Sequence, residues 1–314
     1  MPPSPDAPAG CAIGPTILIV SDQRDWHARQ MEAAFAAVGA RVLRIDLAAC
    51  DFDTRSRSGL ALPFLGSQLP DAVHVRTFSA GSFEAITKRL GILHALAKLG
   101  VVVWNDARAI ERCVDKSMTS FLLARAGVPT PPTWTMESAS AARVLVEREA
   151  SRGPLVLKPL FGAQGKGLRL IRRPEDLPGP EDVAGVYYLQ RFQSIETQDF
   201  RDYRLFVLRG RVVAAMMRRA STWITNVKQG GQPWAVAPDL VMERLAIAAA
   251  EAVGAAIAGV DVLVTVDGAP TVLEVNSMPA WTGLQKVSAR NIAEAIVLAL
   301  MDELDRRPTQ WRVQ

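Results

Sequence analysis

The sequence predicts an α/β protein with an open parallel sheet at its N-terminal end and antiparallel sheets in the remainder. In the first third of the chain, short apolar segments alternate with amphipathic helical ones, which is typical of parallel β-α-β units. In the rest, apolar strands follow one another through short glycine-containing turns, which is typical of antiparallel pairs. With 314 residues, of which 49% are hydrophobic and 22% charged, the chain can form two or three modest cores.

The N-terminal pattern predicts a Rossmann-like domain over residues 15–112, after a disordered tail over residues 1–14. Each strand is a short run of branched apolar residues, and Gly39 follows the first helix as a stop signal. No G-x-G-x-x-G motif follows the first strand, so we do not expect this domain to bind a dinucleotide. The predicted elements are strands at 16–20, 41–45, 72–75 and 101–104 and helices at 26–38 and 82–99.

A proline-rich connector at residues 128–133 follows a helix predicted over residues 114–126. Proline fixes φ and disfavours helix in the residue before it, so the connector must run extended. We predict a small lobe over residues 113–186 and a C-terminal lobe over residues 187–314. The further predicted elements are strands at 155–158, 168–171, 186–190, 203–208, 211–217, 259–264 and 272–276 and helices at 239–258 and 289–304.

The last two strands carry three oxygen-bearing side chains on one predicted face. Asp267-Gly268 between these strands signals a two-residue hairpin turn, which places Asp261 opposite Glu274. Like charges directly opposite each other destabilise a sheet, and a cation between them removes that cost. Glu274 and Asn276 share a face by alternation, so the hairpin offers two carboxylates and one amide oxygen, a set that suits Mg²⁺ or Mn²⁺. The alternative is a solvent-facing acidic pair, but both strands are otherwise apolar.

A glycine-rich loop from Lys158 to Gly167 provides a second signal. Its glycines allow backbone N–H groups to approach an anion closely, as phosphate-binding loops do. It is not a Walker A loop, because glycine follows Lys166 and a strand follows the loop. A glycine-rich hairpin turn is the alternative interpretation. The residues that carry the prediction are Lys158, Gly162, Gly165, Lys166 and Gly167.

Composition excludes several classes of function. The three cysteines lack C-x-x-C spacing, the three histidines are isolated, and no G-x-S-x-G or H-E-x-x-H motif is present, which argues against zinc sites and hydrolytic triads. A net charge of +4 could indicate a nucleic-acid partner, but the basic residues are dispersed and lack interleaved aromatics. We therefore expect no nucleic-acid partner. The first residues lack a signal-peptide pattern, so we expect a cytoplasmic protein without a membrane partner.

The order of these signals along the chain resembles the ATP-grasp superfamily. Within it the chain resembles RimK-type α-L-glutamate ligases, and most of all the branch containing tetrahydromethanopterin:α-L-glutamate ligase and its bacterial relatives. The stretches that carry the resemblance are 109–116, 122–132, 158–167, 202–204, 218–220, 226–231 and 274–277, with 76–84, 90–96 and 279–285 for the branch.

The resemblance implies an α+β ATP-grasp fold, with two lobes clamping ATP, and a ligase that uses ATP and Mg²⁺ or Mn²⁺. The implied substrates are small molecules, L-glutamate and a carboxylate acceptor, and the oligomeric state is left open, a homo-oligomer included. It assigns the nucleotide to Lys116, Lys158, Gly162, Gly165, Lys166, Gly167, Gln190, Arg191, Phe192, Asp199, Asp202 and Asn226. It assigns the transferred phosphoryl group to Arg204, Arg218 and Arg219, the metal to Asp261, Glu274 and Asn276, and substrate to Arg76, Gly81, Ser82 and Ser277.

Several of these assignments have alternatives in the sequence itself. Arg191 stands where the family usually has an acidic residue beside the adenine, which leaves its side-chain contact in question. Strand alternation sends Arg218 and Arg219 to opposite faces, so only one of them should reach the nucleotide. Ser82 could be a simple helix N-cap, and Asn226 a polar loop residue. The acceptor that the resemblance implies is a pterin or related one-carbon cofactor, and the alternative acceptors are a ribosomal protein tail, a peptide or a tyramine/furan cofactor precursor. An ATP-binding regulatory protein and an RNA-binding protein are the competing functions of other classes.

Overall fold

The computed structural model describes residues 14–162, 165–193 and 200–307. The described residues divide into two compact units, one formed by residues 14–103 with 303–307 and the other by residues 104–302. The mixed α/β architecture, with one parallel sheet and several antiparallel pairings, confirms the predicted fold class.

The first unit is built around a parallel sheet in the order β2-β1-β5-β6. Strand β1 is central and pairs in parallel with β2 and β5, and Ile17, Leu18 and Ile19 are fully buried. Helix α1 buries Met31 and Phe35, one turn apart, and helix α2 buries Leu93 and Leu96, as amphipathic helices do. The elements are β1 Thr16–Val20, α1 Trp26–Ala37, β2 Arg41–Ile45, β3 Asp51–Phe52, β4 Leu60–Ala61, β5 Ala72–Val75, α2 Phe83–Lys98 and β6 Val102–Trp104.

The second unit contains a four-stranded sheet and a five-stranded sheet. Their orders are β7-β10-β8-β9 and β13-β12-β11-β14-β15. The elements are α3 Ala107–Val114, α4 Lys116–Arg125, β7 Thr133–Met136, α5 Ala139–Ala150, β8 Leu155–Lys158, β9 Arg169–Ile171, β10 Tyr187–Arg191, β11 Phe200–Leu208, β12 Arg211–Ala220, β13 Gln232–Ala235, α6 Leu240–Val253, β14 Ile257–Val264, β15 Pro270–Asn276, α7 Thr282–Val287 and α8 Ile292–Asp305.

Helix α5 covers the four-stranded sheet and forms one core with it, in which Val146, Leu155 and Leu189 are buried. Strand β10 pairs antiparallel with β7 and β8. This strand was assigned from the sequence to the C-terminal lobe, but its hydrogen bonds place it in the small sheet. The predicted boundary after residue 186 therefore separates strands that pair with each other.

Helix α6 covers the five-stranded sheet, and the two share a core that includes Ala246, Val260 and Val275. The helix ends at Val253, because Gly254 takes a left-handed C-cap conformation with φ of +75°. The helix predicted over residues 239–258 is thus too long at its C-terminal end, where β14 already begins at Ile257.

The helix predicted over residues 114–126 proves to be the second of two consecutive helices. Asp115 ends α3 and caps α4, since its carboxylate accepts hydrogen bonds from the N–H groups of Ser117 and Met118. The cap fixes Lys116 in the first turn of α4. Cys50 and Cys113 are buried free thiols, and no helix in the described part of the chain is both long and apolar enough to cross a membrane.

The hairpin β14–β15 has the predicted pairing but a different turn. Residues 265–269 form a five-residue loop, in which the N–H of Thr265 donates to the carbonyl of Ala269. Leu273 then forms a bulge, because Val262 faces Val272 while Asp261 faces Glu274. The predicted two-residue turn is wrong, and the predicted juxtaposition of Asp261 and Glu274 is correct because the bulge restores the register.

Candidate active site

Charged side chains lie together on the five-stranded sheet because the register of its strands aligns them. Arg218 on β12 is paired with Asp202 on β11, and Arg204 on β11 with Asp261 on β14. Asp261 is in turn paired with Glu274 on β15. Side chains of directly paired residues share a face, so alternation along four strands assembles this charged cluster.

Four members of the cluster form a buried network of ion pairs. Both carboxylate oxygens of Asp202 accept from Arg218, the Nε–Oδ1 distance being 2.7 Å. Asp261 accepts from Arg204 in the same bidentate way, with Nη2–Oδ2 at 2.7 Å, and from Arg218 Nη2 at 3.2 Å. Burial alone would raise the pKa of Asp261, but Arg204 and Arg218 hold it below its usual range. Burial alone would lower the pKa of Arg218, but the carboxylates of Asp261 and Asp202 outweigh that effect and raise it.

Two lysines face the fifth member, Glu274. Lys116 Nζ lies 4.0 Å from Glu274 Oε1 and donates to the carbonyl of Gly162 at 2.7 Å, which ties helix α4 to the glycine loop. Burial lowers the pKa of Lys158 and Lys116 adds to that effect, against the opposing influence of Glu274 and Asp261. A bound polyanion would offset the cost of holding two ammonium groups together here.

The glycine loop requires glycine at two positions. Gly165 has φ of +71°, and a Cβ there would lie 2.5 Å from Asn226 Oδ1 and 2.9 Å from Ile224 Cγ2. Gly167 has φ of +74°, and a Cβ there would lie 2.8 Å from Cγ of Pro159. Both positions therefore combine a left-handed backbone with close approach. The loop connects β8 to β9, which pair antiparallel, so it is also the glycine-rich hairpin connection of the alternative interpretation.

An open cleft runs between the glycine loop and the charged cluster. The lining of the cleft has an apolar part and a polar, mostly charged part. The apolar part includes Val156, Leu168, Phe192, Trp223, Ile224, Leu263 and Leu273, and the polar part includes Lys116, Lys158, Lys166, Arg191, Arg201, Asp202, Arg218, Asn226, Asp261 and Glu274.

The geometry of a glycine loop, two lysines and an acidic hairpin around one cleft agrees with the comparison with known families. A family model described as the RimK-like ATP-grasp domain matches residues 113–300. The chain belongs to the RimK-like ATP-grasp family. It is accordingly an ATP-dependent, ADP-forming ligase of carbon–nitrogen bonds that works with a divalent metal ion.

Relatives of this ligase extend over most of its length. The tetrahydromethanopterin:alpha-L-glutamate ligase of Methanosarcina acetivorans is 31% identical over 329 aligned residues, covering 91% of this chain and 98% of the relative. The ligase of the same name from Methanococcus maripaludis is 35% identical over 203 residues, 63% of this chain and 68% of the relative. A solved structure of the ATP-grasp ligase PsnB complexed with a phosphomimetic variant of minimal precursor, Mg and ADP has a TM-score of 0.69 at 20% identity. It covers 92% of this chain and 98% of that chain, and shows the shared fold.

Most of the residues assigned to the nucleotide from the sequence line the cleft of this RimK-like ligase. They are Lys116, Lys158, Gly162, Gly165, Lys166, Gln190, Arg191, Phe192, Asp202 and Asn226. Gly167 shapes the loop without lining the cleft, and Asp199 lies outside the described residues.

The three arginines assigned to the phosphoryl group have different environments. Arg218 is buried and lines the cleft, whereas Arg219 is exposed on the opposite face of β12, as alternation requires. The structure does not bring Arg219 to the site. Arg204 is buried behind Asp261 and does not line the cleft, so it can act on the site through that carboxylate.

The proposed metal ligands fit a divalent cation by their chemistry. Glu274 lines the cleft and keeps 28% of its side chain exposed beside the buried carboxylate of Asp261. Asn276 Nδ2 donates to the carbonyl of Gly259 at 3.3 Å, which leaves Oδ1 as the atom suited to a cation. Among the described residues no group of three His, Cys, Asp or Glu side chains could hold a metal ion. Asn276 does not line the cleft, unlike Asp261 and Glu274.

The residues assigned to substrate have structural partners. The carbonyl of Ser277 accepts from Asn105 Nδ2 at 2.5 Å, and Ser277 does not line the cleft. In the first unit, Arg76 Nη2 lies 3.1 Å from His27 Nδ1 and 3.4 Å from Asp25 Oδ2. Ser82 caps α2 by accepting from Ala85 N at 3.3 Å, directly after Gly81. The N-cap alternative for Ser82 is thus the role seen here.

Apart from Phe192, the apolar side chains that line the cleft were not predicted from the sequence. Val156 and Leu263 lie two positions from Lys158 and Asp261, so strand alternation from those residues could have identified them. Trp223 packs edge-on against Phe192 with ring centroids 5.8 Å apart, and its loop position gives no periodic signal.

Proposed function

We propose that this ligase adds L-glutamate to a carboxylate of a pterin cofactor of the tetrahydromethanopterin type. The observation that carries the proposal is one cleft whose lining combines apolar side chains suited to a purine with cationic side chains and carboxylates. The acceptor class is supported by the relative from Methanosarcina acetivorans, which bears that name and matches 91% of this chain.

The reaction has two steps. A carboxylate oxygen of the acceptor attacks the γ-phosphorus of ATP, and the bond to the β–γ bridging oxygen breaks to release ADP. The amine of L-glutamate then attacks the acyl carbon, loses a proton, and displaces phosphate to leave an amide. Such transfers depend mainly on positioning and on neutralising charge, which explains a site rich in cations and without a nucleophilic side chain.

The apolar and the charged parts of the lining have different roles in these steps. The apolar part packs against the base, with Phe192 and Trp223 as aromatic walls. Lys116 and Lys158 bind the phosphates, and the glycine loop covers them and excludes water that would hydrolyse the acylphosphate. Arg218 stabilises charge on the transferred phosphoryl group, while Asp202 holds its guanidinium in place.

Asp261, Glu274 and Asn276 are the proposed metal ligands, and Mg²⁺ is the proposed ion. The hard oxygen set suits Mg²⁺, with Mn²⁺ as an alternative of the same preference. When bound, the ion neutralises charge on the phosphates and orients them. Arg204 keeps the Asp261 carboxylate fixed through its bidentate pair.

The test is an ADP-release assay with Mg²⁺, ATP, L-glutamate and a panel of acceptors, followed by mass analysis of the product. We expect ADP and a pterin with one added glutamyl residue. AMP and pyrophosphate would exclude the acylphosphate route, and glutamylation of peptides with none of the pterin would overturn the acceptor. Glu274→Gln should abolish ligation while leaving the circular dichroism spectrum unchanged. Full activity in that variant would refute the metal assignment.

A further inference from the structure

Arg191 lines the cleft, yet its guanidinium is bound on the side of helix α5. Its Nη2 donates to Glu149 Oε2 at 2.6 Å, and its Nη1 donates to the carbonyls of Gly153 at 2.5 Å and Glu149 at 3.3 Å. The guanidinium carbon also lies 5.9 Å from the ring centroid of Trp134. Arg191 keeps 12% and Glu149 4% of its side chain exposed, so the pair is largely desolvated.

Glu149 lies outside the cleft and outside every role described above. It is a buried residue near the end of α5, 42 positions before Arg191. Arg148 Nε contacts the other oxygen of the same carboxylate at 3.0 Å, but the Arg148 side chain is 61% exposed. Arg152 Nη1 lies 3.5 Å from Glu149 Oε2, and the Arg152 side chain is also exposed. The buried partner of Glu149 is therefore Arg191, and its exposed partners are Arg148 and Arg152.

An arginine at this rim conflicts with an adenine base unless it is restrained. The guanidinium has only donors. The exocyclic group of adenine at position 6 is also a donor, whereas the corresponding group of guanine is an acceptor that arginine recognises readily. An unrestrained Arg191 would thus favour guanine over adenine beside the apolar part of the cleft lining.

The backbone of the same segment strengthens this conflict. The N–H of Arg191 donates to the carbonyl of Pro132 at 2.8 Å, and the N–H of Phe192 donates to the carbonyl of Pro154 at 3.1 Å. These two donors are engaged within the small sheet and its flanking segments. Because both backbone N–H groups already donate to carbonyls, a guanidinium turned into the cleft would add new donors beside the base.

We propose that Glu149 is a specificity-determining positioning residue, which sequesters the Arg191 guanidinium and thereby makes the cleft selective for adenine over guanine nucleotides. The inference rests on the proposed function, in which the base lies against the apolar part of the cleft lining. Glu149 acts only through Arg191, so its effect on base selection should vanish when Arg191 is absent.

The experiment is calorimetric titration of Mg²⁺-ADP and Mg²⁺-GDP into the full chain, which needs neither acceptor nor glutamate. In Glu149→Ala the preference for ADP over GDP should fall by roughly tenfold or more, the scale of one lost or gained arginine–base contact. Glu149→Gln should shift it in the same direction by less. Arg148→Ala, which removes a contact to the same carboxylate and leaves Arg191 paired, should keep the wild-type preference.

The double variant Glu149→Ala/Arg191→Ala distinguishes sequestration from a structural effect. We expect it to regain the wild-type ratio of ADP to GDP affinities, because no guanidinium remains to face the base. An unchanged ratio in both Glu149 variants, or a ratio that stays shifted in the double variant, would overturn the inference.

The placement of the base has its own check in the same titrations. Trp223→Ala should weaken the binding of both ADP and GDP if the base lies against the apolar part of the cleft lining. Unaltered ADP binding in that variant would contradict the proposed function, whereas weakened binding with an unshifted Glu149 variant would contradict only the role of Glu149.

Discussion

Replacing Gly165 by alanine tests whether the glycine loop must lie against residues 224–226 for ATP to bind. At this position φ is +71°, and an added Cβ would lie 2.5 Å from Asn226 Oδ1 and 2.9 Å from Ile224 Cγ2. The substitution therefore adds two separate costs, one in the backbone and one in the contact. Only the contact concerns the cleft.

The two costs can be separated by a matched control. Gly210, in the turn between β11 and β12, has φ of +72° and no atom within 4 Å of an added Cβ. Alanine at either glycine should cost roughly 1–2 kcal/mol for the left-handed backbone. At Gly165 the crowding adds about 1–3 kcal/mol. If that strain displaces the loop, the KM for ATP should rise roughly 5- to 150-fold.

The assay is ATP-dependent ADP release with saturating acceptor and glutamate, together with urea unfolding of each variant. We expect Gly210→Ala to lower the free energy of unfolding and to leave the KM for ATP unchanged. Gly165→Ala should raise that KM well beyond the control. Equal KM values in the two variants would show that contact between the loop and residues 224–226 is not needed for nucleotide binding.

Three further predictions follow from buried ionisable groups. Burial lowers the pKa of Lys158, so its ammonium should lose its proton at a lower pH than that of an ordinary lysine, and kcat/KM for ATP should fall at alkaline pH. Lys158→Arg should move that fall to higher pH, and an unmoved pH profile would assign the fall to another group. Burial and Arg76 lower the pKa of His74 to about 3, so its contribution to stability is full above the unfolded pKa and is lost as pH falls towards 3. Between pH 7 and 5 this loss should be about 2 kcal/mol in urea unfolding, and His74→Leu should lack it. Asp202→Asn breaks the buried pair with Arg218 and should lower the free energy of unfolding by roughly 3 kcal/mol, so a change below about 1 kcal/mol would contradict the burial of that pair.

Periodicity was sufficient wherever a segment is both long and regularly buried. The β-α-β pattern of the first unit and the separation of Arg218 from Arg219 both follow from it. Four strands escaped prediction: the two-residue strands β3 and β4, and β7 and β13, which lie at sheet edges. Strand β13 contains Pro233, which an edge strand tolerates and a central strand does not, and β7 begins directly after Pro132.

Contacts between distant segments set the limit of prediction for the site. Arg191 was recognised as a departure from the family pattern, but nothing in the sequence pairs it with Glu149 on a helix that was not predicted. The network of Arg204, Arg218 and the two aspartates is of the same kind. Each residue could be named from motifs, whereas its partner depends on strand register across the sheet.

The buried ion-pair network has a consequence for how the proposed metal ligands divide their roles. Replacing such pairs by apolar residues often leaves stability unchanged or improved, so stability alone does not account for a cluster of two arginines and two aspartates under the cleft. Its geometric effect is clearer, since Arg204 and Arg218 together fix the Asp261 carboxylate. Glu274, which faces Asp261 but keeps 28% of its side chain exposed, is the carboxylate able to adjust to a cation and to the phosphates. A rigid ligand beside an adjustable one would let the site hold a nucleotide whose charge is redistributed during phosphoryl transfer.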